Sequence, residues 1–231
     1  MTSVLGTGRQ FIKSLAPAKV VQSRLHKKVI MDFAERVGLV YFGYVDQRDD
    51  EHKLIRGLTL SAGHRDNHYC IGTYGGYDLT LVERTDTITF PRRPARTHTW
   101  LIQAFDLHTS RDLPHNFIGL QNHHETFYAH LFTKFATLAR VPIGMSEGYD
   151  RAFTNKYALY TPAAHILETK ELIDPQVAKI IGDFFGVMTC EIADGVLYVY
   201  AEGQRPSQAL LEKMLKYGVW LASVIDKKQS E

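Results

Sequence analysis

The pair Asp194-Gly195 constrains this chain more than any other feature of it. It stands between two runs rich in β-branched and aromatic residues, Cys190–Ala193 and Val196–Ala201. A tight type I′ turn needs two successive residues at positive φ, and Asp-Gly supplies both at low steric cost. The stretch therefore predicts a β-hairpin. The wider segment Tyr149–Tyr200 bunches its aromatic residues into two strand-like runs with two helix-like runs between them. That signal is architectural and says nothing about chemistry.

From about Arg9 to Gly38 the spacing is helical. Phe11, Ile12 and Leu15 precede Pro17, which starts or bends a helix. Val21, Leu25, Val29, Phe33 and Val37 then recur every four residues until Gly38 stops the run. Lys19, Arg24, His26, Lys27 and Lys28 lie on the other face, so Val20–Val37 is expected as a basic amphipathic helix docking its apolar stripe on a sheet. After Gly38 the period shifts to two. It predicts strands at Leu39–Val45, Leu54–Ser61, His68–Thr73, Asp78–Arg84 and Thr97–Leu107, with turns at Gly63–Asn67 and Tyr74–Tyr77 and a polar hairpin loop at Thr85–Arg96.

A short strand near Asn116–Gln121 follows. Phe127, Leu131, Phe132 and Phe135 then predict a helix from Glu125 to about Arg140. The remainder predicts a strand at Tyr157–Tyr160, helices at Ala163–Leu172 and Gln176–Phe185, the hairpin, and a closing helix after Pro206 whose apolar face includes Leu211, Met214, Leu215, Gly218 and Leu221. The expected class is α+β: an antiparallel sheet with an N-terminal amphipathic helix and C-terminal helices packed on it. We divide the chain into residues 9–38, 39–140 and 141–231, the last two being sequential α/β units in one compact body.

Composition narrows the function classes. With 27 basic against 25 acidic residues the net charge is +2, which gives no global pull toward nucleic acid. Two cysteines, Cys70 and Cys190, sit in strand-like runs and suit small buried hydrophobes better than a disulfide framework. No window approaches the ~20 consecutive apolar residues of a membrane span. The first residues lack the apolar core of a secretory signal, so the default location is cytoplasmic.

Three constellations could carry chemistry. His115, His123, His124, Glu125 and His130 fall close together, with His98 and His108 on the preceding strand. Imidazole and carboxylate are ligands that zinc and iron use, and the set His123, His124, Glu125 and His130 is the candidate metal site, suited to a metal-dependent hydrolase. The spacing argues against it: neighbouring residues on a helix diverge by about 100°, and no HExxH or cysteine-containing zinc pattern occurs. Arg92, Arg93 and Arg96 form a basic loop tip that could meet phosphate or nucleic acid, although such a cluster is more often a solvated hairpin end. Lys19, Arg24, Lys27 and Lys28 could touch an anionic membrane surface. The glycines of Gly6–Gly8 and Gly72–Gly76 match no phosphate-binding loop, and no GxSxG nucleophile elbow is present.

The order of several elements carries a resemblance. Gly72–Leu79 (GTYGGYDL) is followed by Arg96–Trp100, a strand ending in Leu107, Leu113-Pro114, Tyr149–Phe153, Tyr157–Pro162, Glu191-Ile192 and Gly195–Tyr200. Over roughly Val37 to Ala201 this resembles an uncharacterised bacterial domain-of-unknown-function family (3137-like). The resemblance implies an α+β domain with no assigned activity and no established catalytic residues; no cofactor is expected. Relatives in that family often carry N-terminal transmembrane helices, whereas Val20–Val37 here is too polar to span. The expectation is a non-enzymatic domain acting through an unidentified protein partner, a second copy of itself, or peripheral contact with an anionic membrane. Metal-dependent hydrolysis and nucleic-acid binding are the alternatives.

Overall fold

The computed structural model describes residues 23–44, 65–88, 96–109, 111–121 and 138–230. Helix α1 covers residues 23–37 and ends at Gly38, whose φ of 80° lets the Leu39 amide reach back to the Ala34 carbonyl at 2.8 Å. Nine strands follow: β1 (Val40–Gly43), β2 (Arg65–Tyr74), β3 (Tyr77–Ile88), β4 (Arg96–Asp106), β5 (Asn116–Leu120), β6 (Leu138–Arg140), β7 (Tyr157–Pro162), β8 (Met188–Ala193) and β9 (Val196–Glu202). The helices after α1 are α2 (Arg151–Thr154), α3 (Ile166–Leu172), α4 (Pro175–Phe184) and α5 (Gln208–Ser230).

The strands form one antiparallel sheet in the order β1-β2-β3-β4-β9-β8-β5-β7-β6. The α+β class with an antiparallel sheet is therefore the observed fold. The Asp-Gly hairpin forms as its residues dictate, with φ of 52° at Asp194 and 75° at Gly195. Its place could not be read from the turn. It is slotted into the centre of the sheet, β9 against β4 and β8 against β5, so strands from residues 39–140 and 141–231 share one hydrogen-bonded sheet.

Alternation gives the sheet two faces. Leu79, Leu81, Leu101, Phe105, Leu197 and Val199 point to one face, where α1, α4 and α5 supply Ile30, Phe33, Ile181, Phe185, Leu211 and Met214. Burying each of these large side chains is worth ~1.5–3 kcal/mol against leaving it in water. Helix α5 packs especially close: a Cβ added at Gly218 would lie 2.3 Å from the Phe105 ring. The opposite face carries Tyr69, Val82, Trp100, Ile102, Phe117, Tyr198 and Tyr200 in a second buried cluster. It also holds Arg84 and Asp66, both buried, in a bidentate pair with both N···O distances at 2.6 Å.

Several boundaries differ from the sequence expectation. The strands β3 and β4 run on to Ile88 and from Arg96, so much of the expected polar loop is ladder. Residues 65–67, expected as a turn, are strand, and the irregularity falls instead at a bulge after Asn67, where His68 takes φ 56°. Residues 138–140, expected as the end of a helix, pair with β7 as strand β6. The expected strand Leu54–Ser61 and most of the expected helix from Glu125 lie outside the described residues.

The stripe of α1 is also rotated from its expected position: Ile30, Phe33 and Ala34 are buried, while Leu25 is 58% exposed. A strict four-residue spacing advances about 40° per step around a helix of 3.6 residues per turn, so Leu25 and Val37 cannot both face the sheet. Cys70 and Cys190 are free and buried, and burial pushes both thiols upward, Cys70 to about 12. Among the described residues no helix is long and apolar enough to cross a membrane.

Candidate functional site

At one corner of the sheet β9 turns away from β4 after Glu202, and the Gly203 amide makes a last bond to the Thr99 carbonyl at 2.8 Å. The chain then crosses through Gln204 and Arg205 before α5 begins. This departure leaves a cleft of about 370 Å³ lined by His26 of α1, Glu83 and Thr85 of β3, Thr97–Thr99 of β4, and Glu202–Arg205. Among the described residues no apolar side chain lines it.

The floor follows from register. Glu83 pairs with Leu101, Thr85 with Thr99 and Thr87 with Thr97, so Glu83, Thr85, Thr97 and Thr99 all point to the face that α1 covers. Further along the same face come Leu79 and Leu81, in the core. Glu83 thus continues an apolar row with a carboxylate. Its Oε1 lies 3.4 Å from His26 Nδ1 and its Oε2 3.5 Å from His68 Nε2. Both separations exceed those of a charge-assisted hydrogen bond, which runs about 2.7–2.9 Å. Tyr41 Oη lies 2.8 Å from His68 Nδ1 and fixes that ring. Burial holds the His68 pKa down, aided by nearby His26 and Lys27, while the Glu83 charge pulls it back up.

Around the β4 edge, on the other face, His98 Nδ1 meets Glu202 Oε1 at 2.7 Å, and the imidazole stacks on Trp100 with ring centroids 5.7 Å apart. Farther across that face Glu191 is buried. His115 Nε2 approaches its Oε1 at 2.6 Å, and the Tyr200 hydroxyl donates to its Oε2 at 2.7 Å. Arg205 at the rim is exposed and forms no ion pair among the described residues.

The residues singled out by sequence are scattered. Arg24, Lys27 and Lys28 are exposed on α1, and the Lys27 ammonium stands 5.9 Å from the Tyr41 ring. Arg96 opens β4, and Arg92 and Arg93 lie outside the described residues, as does Lys19. His123, His124, Glu125 and His130 also lie outside them. The strand histidines that would have joined that metal site have other partners: His98 is held by Glu202, and His108 stacks on Tyr77 at 4.6 Å with Nε2 3.1 Å from the Gly76 carbonyl. Among the described residues no group of three His, Cys, Asp or Glu side chains is arranged to hold a metal ion. Sequence reasoning missed Glu83 as a site residue. Its one signal is period-two placement, a charge on the strand face of Leu79 and Leu81.

No protein-family signature matches the chain, and no curated protein is similar to it. Among solved structures it resembles the mycobacterial trehalose monomycolate transport factor A, TtfA, with a TM-score of 0.56 and 8% sequence identity over 88% of this chain and 93% of that one. At that identity the likeness concerns the fold alone.

Proposed function

We propose that this protein is a non-enzymatic interaction domain that docks peripherally on an anionic membrane surface through α1. The observation that carries this is the outward side of the helix. Ile30, Phe33 and Ala34 anchor it on the sheet, and the exposed surface presents Arg24 and Lys28, with Lys27 on the flank above Tyr41, together with Leu25 and Met31, which are 58% and 41% exposed. Two apolar side chains among three cations suit a helix lying at the headgroup level, its apolar groups inserted and its cations among lipid phosphates. Each such cation contributes about 1 kcal/mol near a negatively charged leaflet. Asp32 and Glu35 follow on the exposed surface, and Arg36 beyond them is paired with Glu212 of α5, so the cations without an acidic partner among the described residues lie in the N-terminal half of the helix.

The neighbouring strand adds to the same region. Tyr41 of β1 lies under Lys27, whereas Phe42 turns to the other face of the sheet, against Tyr69. Aromatic rings with one polar edge favour the membrane–water boundary. TtfA, which shares this fold, is a transport factor, and a binding role here accords with that.

Co-sedimentation with vesicles of phosphatidylcholine containing phosphatidylserine tests the proposal. Binding should fall steeply with salt and be lost in Lys27→Glu/Lys28→Glu, and Leu25→Ser/Met31→Ser should weaken it without changing the fold. Absence of binding to anionic vesicles at low salt would discard membrane docking and move the search to protein contacts.

A further inference from the structure

We propose that the cleft beside β4 binds a small molecule that joins a primary ammonium to an anionic group, of the kind found in free amino acids and aminoalkyl phosphates and in aminophospholipid headgroups. The argument rests on what the floor of the cleft lacks and what its rim offers, and it does not depend on membrane docking by α1.

Glu83 is withdrawn from water, with its side chain 12% exposed. Its imidazole neighbours stand 3.4 Å and 3.5 Å away, beyond the range of a strong hydrogen bond, and among the described residues no other polar group pairs with it. A carboxylate has about four acceptor positions. The hydroxyls of Thr85 and Thr99, cross-strand partners on the same face, make no hydrogen bond among the described residues. One charged acceptor and two hydroxyl acceptors on one floor match the three donors of a primary ammonium. The charge also matches: a desolvated carboxylate whose neighbours are titratable imidazoles gains most from a fixed cation.

The rim has the opposite character. Arg205 is exposed, without an ion pair among the described residues, and at the mouth of the same cleft, with the Gln204 amide beside it. A guanidinium there presents paired donors to a phosphate or carboxylate that trails outward from the buried ammonium. A purely apolar ligand finds no partner among the described residues, since none of those lining the cavity is apolar. A simple anion would meet the Glu83 charge at its floor. At about 370 Å³ the cleft lies at the small end of ligand pockets.

The probes are phosphoethanolamine, ethanolamine and inorganic phosphate, titrated into the full-length protein by calorimetry with melting temperature as a second readout. Phosphoethanolamine should bind and stabilise, ethanolamine should bind more weakly, and phosphate should not bind. Glu83→Gln, which keeps the shape and removes the charge, should weaken phosphoethanolamine at least about tenfold, equivalent to ~1.4 kcal/mol. Arg205→Ala, at an exposed position where folding is safe, should weaken phosphoethanolamine several-fold and leave ethanolamine unchanged. Vesicles of phosphatidylcholine with and without phosphatidylethanolamine separate the sources: retention that requires phosphatidylethanolamine and is lost in Glu83→Gln assigns a lipid headgroup. Binding of soluble phosphoethanolamine without that retention assigns a free metabolite. The proposal fails if none of the probes binds, if phosphate binds as well as phosphoethanolamine, or if both variants bind like the parent. Because the soluble titration uses no membrane, it stands or falls separately from the Lys27→Glu/Lys28→Glu result.

Discussion

Two regions of the sheet treat carboxylates in opposite ways. On the face opposite α1, α4 and α5, Glu191 is fully engaged, with His115 and Tyr200 within 2.7 Å of its two oxygens, and Asp66 grips Arg84 through both of its own. In the cleft on the helix side Glu83 is nearly as withdrawn from water, yet its neighbours stand off by 3.4 Å and 3.5 Å. A charge held at full hydrogen-bond distance on every oxygen has been spent on the fold. A charge held loosely in a cavity keeps capacity for something else. Removing one partner of a buried, satisfied pair strands the other in low dielectric, whereas a loosely held carboxylate can be neutralised at little cost to folding.

Four experiments can break or sharpen this contrast. The largest effect belongs to Arg84→Met, which leaves Asp66 charged and buried; we expect a loss of ~3–5 kcal/mol in denaturant unfolding, with part of it recovered in Arg84→Met/Asp66→Leu. Second comes Glu191→Ala, which takes the acceptor from both His115 and Tyr200 and should cost ~1.5–3 kcal/mol by the same measurement. Glu83→Gln should change stability by less than about 1 kcal/mol, the scale of a loose and partly solvated ion pair. A loss as large as that of Glu191→Ala would place Glu83 among the structural charges and end the contrast.

The smallest effect concerns pH. Burial, with His26 and Lys27, depresses the His68 pKa against the opposing pull of Glu83. The folded state therefore prefers the neutral imidazole. Stability from this source is complete above the ordinary histidine pKa of about 6.5 and is lost as pH falls from there through the lower folded value. Replacing His68 by Asn, which tolerates its positive φ of 56°, should flatten the part of the melting-temperature profile that lies on the acid side of the ordinary histidine pKa. An unchanged profile would show that the loss of stability on acidification comes from other groups.

What could be read along the chain and what could not divides by the range of the interaction. The Asp194-Gly195 turn, the stop at Gly38, and the Asp174-Pro175 start of α4, where Asp174 caps the Gln176 and Val177 amides, depend on a few neighbouring residues. So does the alternation that makes strands of β3 and β4, and these gave the α+β class with an antiparallel sheet. Sequence spacing also named Arg24, Lys27 and Lys28 as an exposed basic face, because no core position takes three cations in one turn and a half of helix.

Tertiary structure decided the rest. Which strands the hairpin would separate depended on pairing β9 with β4 and β8 with β5, between residues about 70 to 100 apart, a choice that no local preference encodes. The rotation of α1 that exposes Leu25 and buries Ile30 was set by the sheet it lies on. Glu83 looked like an ordinary strand charge until β2, β3 and α1 brought His68 and His26 to its two oxygens and the departure of β9 opened a cleft beside it. Local sequence fixes φ, ψ and the side each residue faces. A site made of four elements exists only once long-range packing has paid the entropy of bringing them together.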